Sequence, residues 1–136
     1  MKRIVLIAAM LSAAFRLPAA VERTSLDSDG GVAGWRLLPQ DEVRDARAMM
    51  EAGYDGSEWI PAVVPGAVFT SYVEAGIEPD PNFGDNAYRA DRKKYDRNFW
   101  YRTELATEEL PAGGHCWLCF EGANRRAGVY FNGERL

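Results

Sequence analysis

Apolar and polar positions alternate with a period of two at three places along the chain, the spacing of a strand with one buried face. Phe99, Tyr101, Thr103 and Leu105 fall on one side of the first run, and Trp100, Arg102 and Glu104 on the other. Cys116, Leu118 and Phe120 alternate with Trp117, Cys119 and Glu121 in the second, and Val129 and Phe131 with Tyr130 in the third. The third run leads into Asn132-Gly133, a strong hairpin signal, because a type I′ turn needs positive φ at both central residues. Only Glu134, Arg135 and Leu136 follow, too few to pair the whole preceding strand, so the pattern predicts further strands that complete the sheet.

Earlier in the chain, Trp35–Pro39 and Trp59–Val64 read as short strands bounded by prolines. Between them Val43, Ala46 and Met50 recur at helical spacing behind a capping Asp41, which predicts a short surface helix over Asp41–Glu51. Val68, Tyr72 and Val73 share a face of a second predicted helix that ends at Gly76. From Ile77 to Asn98 the pattern is irregular, with Pro79, Pro81 and Gly84 among short polar residues, and loops of that length in a compact domain are usually functional. Short strands with polar faces, one or two short helices and proline-rich turns give an all-β fold, an antiparallel β-sandwich or jelly roll. Residues 21–136 on their own expose strand edges and are expected to aggregate.

Met1–Ala20 changes the picture at the front of the chain. Lys2 and Arg3, an apolar run of 12 residues from Ile4 to Phe15 and the small residues before position 21 have the layout of a secretory signal peptide, too short to span a bilayer. This predicts a secreted or periplasmic protein. Arg16 and the lack of a small-x-small cleavage site leave open a hydrophobic element that stays on the protein. Residues 21–34 then form a flexible Gly-, Asp- and Ser-rich leading segment, and residues 35–136 the domain. The formal charge is −4, and −7 after loss of the three basic residues of 1–20, so neither nucleic acid nor an anionic membrane is an expected partner.

Cys116 and Cys119 form a C-x-x-C, but residues three apart in a strand face opposite ways. They read as packing residues, with a redox pair or half a zinc site as the alternative. His115, the only histidine, has no second ligand set to complete a four-coordinate zinc site. No cofactor is expected. Trp35, Trp59, Trp100 and Trp117 lie in predicted strands and read as core or domain-interface packing rather than a sugar platform.

Several stretches in order resemble a known family: Trp59-Ile60-Pro61-Ala62-Val63-Val64-Pro65-Gly66, the loop Pro79 to Asn86, Asn98 to Glu104, and Phe120 to Asn124 leading to Val129–Gly133. Over about residues 35–136 the chain resembles the N-terminal sugar-binding domain of glycoside hydrolase family 2, in its β-mannosidase and exo-β-glucosaminidase branch. Gly128 departs from that pattern, where an acidic residue is frequent. The resemblance implies a galactose-binding-like jelly roll, followed in the same polypeptide by further sandwiches and a catalytic barrel. It implies hydrolysis of a β-linked oligosaccharide or glycan with retention by two carboxyl groups roughly 5 Å apart. Those two residues belong to the barrel, and no position in this chain matches their motifs.

In such a protein the loop Pro79–Arg89 faces the barrel, and it holds the candidate substrate-binding residues Asp80, Asn82, Asp85 and Asn86. Their short acceptors and amide donors suit a hydroxyl-rich ligand, and Phe83 and Tyr88 could stack on a sugar ring. The competing reading is that Asp and Asn merely brace turns through their own backbone. A free-standing carbohydrate-binding module and a pure docking domain are the alternatives to an enzyme's accessory domain.

Overall fold

The computed structural model of the chain describes residues 23–28, 34–105, 115–123 and 126–136. The predicted signal peptide 1–20, part of the leading segment, and residues 106–114 and 124–125 lie outside them.

Three strands form one antiparallel sheet in the order β2-β1-β3: β1 is Arg36–Pro39, β2 Ile60–Pro61 and β3 Phe99–Arg102. Leu37 lies opposite Ile60 on one side and Tyr101 on the other, so one central residue has apolar neighbours across both ladders. It is fully buried and forms the core with Ala62 and Tyr72, while Trp35, Ile60, Val64, Val68, Tyr95, Phe99 and Tyr101 close around it. Phe99 and Tyr101 thus share the inner face that alternation assigns them. Two residues of the leading segment are bonded to this unit: Ser28 exchanges bonds with Val64 and donates its hydroxyl to the Ala62 carbonyl at 2.9 Å, and Leu26 accepts from the Trp35 indole.

Helix α1, Val68–Glu74, lies where the sequence predicts it. Its buried Ser71 accepts from the Val63 amide at 2.9 Å, tying the helix to the turn after β2. That turn requires Gly66, since a Cβ there would stand 2.8 Å from the Val63 carbonyl oxygen. At the other end Gly76 has φ 71°, and the Ile77 and Gly76 amides donate to Tyr72 and Val73 in a Schellman stop.

Three predicted elements differ. Asp41–Glu51 forms two 3₁₀ turns, Gln40–Glu42 and Ala48–Met50, instead of one helix. The cap is Asp45, which accepts from the Arg47 and Ala48 amides, and Met49 is the buried side chain, so no continuous apolar stripe exists to hold a longer helix. The irregular segment 77–98 contains helix α2, Asn86–Arg89, and a 3₁₀ turn over Arg92–Tyr95. The alternating run 116–121 is not a strand: it pairs with nothing among the described residues, and Trp117 is 84% exposed. The third run does form its hairpin, β4 Tyr130–Phe131 against β5 Glu134–Arg135, with φ 47° at Asn132 and 83° at Gly133. This second sheet touches β3 through Trp100, whose ring lies 5.5 Å from that of Tyr130.

Candidate functional site

The loop that leaves α1 is braced from within. Asp80 accepts on one carboxylate oxygen from the Asn82 amide at 2.8 Å and the Asn82 side chain at 3.1 Å. Its carbonyl accepts from the Phe83 amide at 3.2 Å and from the Asn86 side chain at 2.9 Å. Gly84, at φ 58°, turns the chain, and Asp85 holds Arg89 one helical turn on at 2.8 Å. Asp80, Asn82 and Asn86 are therefore brought together, whereas Asp85 faces Arg89. The side chains predicted to meet a ligand also hold the turn, each of the two carboxylates through one oxygen. Phe83 and Tyr88 are left outside, 76% and 90% exposed.

The ends of the loop meet at a polar cluster that local pattern does not reveal. Glu78 accepts on one oxygen from the Lys94 ammonium at 2.6 Å and from the Tyr95 hydroxyl at 2.7 Å. The ammonium also lies 5.1 Å from the Tyr72 ring centre and 5.7 Å from that of Tyr95, and the two rings meet edge to face at 5.2 Å. Bonds from Lys94 and then Tyr95 hold the Glu78 carboxyl below its ordinary value, while burial and the facing carboxylate push the Tyr95 phenol well up. These partners are 16 and 17 residues apart, and opposite charges flanking the loop are the only sign of them in the sequence.

Arg102 organises the opposite side of the sheet. Its guanidinium donates to the carbonyls of Met49 at 2.9 Å and Glu51 at 3.0 Å, pairs with Glu104, and lies 5.5 Å from the Tyr54 ring centre. Glu104 also accepts from the Gly53 amide at 2.7 Å, and Arg102 first and that amide second lower its carboxyl. Arg102 and Glu104, which alternation puts on one strand face, thus pair and anchor segment 45–55.

Trp59 is buried against Tyr54, Trp35 flanks the core and Trp100 packs on the hairpin. Trp117 is outside the core. Cys116 and Cys119 are exposed free thiols, on a segment that is not the strand their spacing argument assumed. Among the described residues no three His, Cys, Asp or Glu side chains are grouped to hold a metal ion.

Antiparallel strands about a small core, with few helices, agree with a galactose-binding-like domain, the class that the family match gives. The chain belongs to the glycosyl hydrolase 2 galactose-binding domain-like family, which residues 47–136 match. It is similar to an exo-β-D-glucosaminidase of Streptomyces avermitilis, 26% identical over 120 residues that make up 88% of this chain and 13% of that protein. It is also similar to a mannosylglycoprotein endo-β-mannosidase of Lilium longiflorum, 34% identical over 83 residues, 57% of this chain and 8% of that one. The chain thus spans about a tenth of the length of these relatives. No solved structure matches it.

Proposed function

We propose that this chain is the N-terminal, non-catalytic domain of an exported retaining β-glycosidase, a jelly roll that supports a catalytic barrel and lends one loop to the rim of its pocket. The substrate is a β-linked oligosaccharide or glycan, and the two catalytic carboxyl groups lie elsewhere in the polypeptide. The relatives' names support this class of substrate, and Phe83 and Tyr88 carry the argument for sugar contact. Two aromatic rings on a loop that its own Asp and Asn side chains hold in shape suit the apolar face of a pyranose. The second oxygens of Asp80 and Asp85 remain for hydroxyl groups.

Replacing Phe83 and Tyr88 together by Ala in the intact protein is expected to raise KM for a β-linked glucosamine or mannose disaccharide about tenfold with kcat little changed. A second reading, docking without sugar contact, draws on the same internal bonds, since Asp80, Asn82 and Asn86 are engaged with one another. Unchanged kinetics and unchanged stability after Asp85→Ala and Asn86→Ala, with unchanged kinetics in the aromatic double variant, favour docking.

A further inference from the structure

We propose that Glu78 is a positioning residue, a clasp that joins the two feet of the loop Pro79–Lys93 and so fixes the attitude of Phe83 and Tyr88. This rests on the reading of that loop as a sugar contact. The first foot is set by the Schellman stop, which delivers both the Ile77 and Glu78 amides to the Tyr72 carbonyl, at 2.9 and 3.1 Å. The second foot is the 3₁₀ turn Arg92–Tyr95, capped by Asp91 through the Lys93 amide at 3.1 Å. Each turn is local and sets only its own end. The Glu78 carboxylate links them by hydrogen bonds, taking both donors of the second foot on one oxygen, with the Lys94 ammonium over the Tyr72 ring. Phe69 and Tyr72 hold the Tyr95 ring edge to face at 5.3 and 5.2 Å, so its hydroxyl points at Glu78 from a packed position. A loop whose ends are joined retains fewer conformations, and the aromatic rings at its tip meet a ligand with less ordering left to do.

The test compares Glu78→Ala, Glu78→Gln and Tyr95→Phe in the intact protein by amide hydrogen exchange over residues 79–93 and by kinetics on a β-linked glucosamine disaccharide and a β-linked mannose disaccharide. Glu78→Ala is expected to speed exchange in the loop roughly tenfold while α1 and β3 stay protected, and to raise KM roughly threefold to tenfold with kcat held. Glu78→Gln keeps an acceptor for both donors and recovers most of the protection. Tyr95→Phe keeps the ring packing, removes one donor and loosens the loop by a smaller factor, so the proposal stays testable if the Ala variant fails to fold. Unchanged exchange in both Glu78→Ala and Tyr95→Phe overturns the clasp. Faster exchange with unchanged KM keeps the clasp and overturns the reading of the loop as a sugar contact.

Discussion

The two ends of the described structure contrast in how their alternating patterns are used. In the three-stranded sheet the inner apolar face meets partners: Leu37 has Ile60 and Tyr101 across its ladders, Tyr72 closes the core from the helix, and Arg102 of β3 donates to the carbonyls of Met49 and Glu51. Between His115 and Leu136 the pattern is as regular, yet Trp117, Leu118, Phe120 and Phe131 stay exposed and, among the described residues, the only pairing is a hairpin with two residues in each arm. A period of two states which residues can share a face. A strand needs an edge to join as well.

The largest effect expected from this contrast is on residues 21–136 expressed alone, where the exposed apolar run should cause aggregation and binding of an apolar dye. A sharp, reversible thermal transition of that piece breaks the comparison. Next, Leu37→Ala in the intact protein removes the central core side chain and should destabilise the domain by about 3–4 kcal/mol in chemical denaturation. Glu134→Ala, on the hairpin, should change the same midpoint by less than about 0.5 kcal/mol. A loss at Glu134 comparable to that at Leu37 places the hairpin in a cooperative unit with the sheet. Glycines sharpen the contrast further. Gly66→Ala drives a methyl group into the backbone of Val63 and should cost about 1–3 kcal/mol, whereas Gly133→Ala meets open space and should cost about 1 kcal/mol through its positive φ alone.

The smallest effect concerns pH. The Glu78 carboxyl is lowered from 4.5, so its contribution is present above that value and lost as pH falls through the lower folded-state value. The Tyr95 phenol is raised from 10.0, so its contribution is present below 10.0 and lost as pH rises toward the folded-state value. Lys94, Tyr72 and Asp91 are the other ionisable groups that act on this pair. Hydrogen exchange over residues 79–93 should therefore be slowest, relative to its intrinsic rate, between these limits and rise at both ends. Protection that continues unchanged well below pH 4.5 counts against the ionised Glu78 as the acceptor.

Some elements were legible because their signal is local. The α1 stop at Gly76 and the Asn132-Gly133 turn depend on backbone angles that few residues adopt, and both stand where the sequence places them. The family, too, could be read from ordered motifs, and the family match bears that out. Asp41–Glu51 was misread because its periodicity had no partner surface and Asp45, not Asp41, captured the free amides. In the loop, the residue types of Asp80, Asn82 and Asn86 suggested a ligand, but their bonds to one another depend on a turn geometry that composition does not carry. The Glu78 cluster was invisible for the same reason, since it forms only when both loop ends return to Tyr72.

The grip of Arg102 on segment 45–55 has an evolutionary consequence. Its two long-range donations go to the carbonyls of Met49 and Glu51, and Glu104 takes the amide of Gly53. Every amino acid offers a carbonyl and nearly every one an amide, so these three bonds are blind to side chains, and Tyr54, whose ring lies 5.5 Å from the guanidinium, is the side chain of the segment that Arg102 meets. Substitutions across this surface segment other than at Tyr54, and changes of length between the 3₁₀ turns Gln40–Glu42 and Ala48–Met50, can accumulate without disturbing the sheet as long as main chain still passes beneath the guanidinium. The arginine itself has no such freedom.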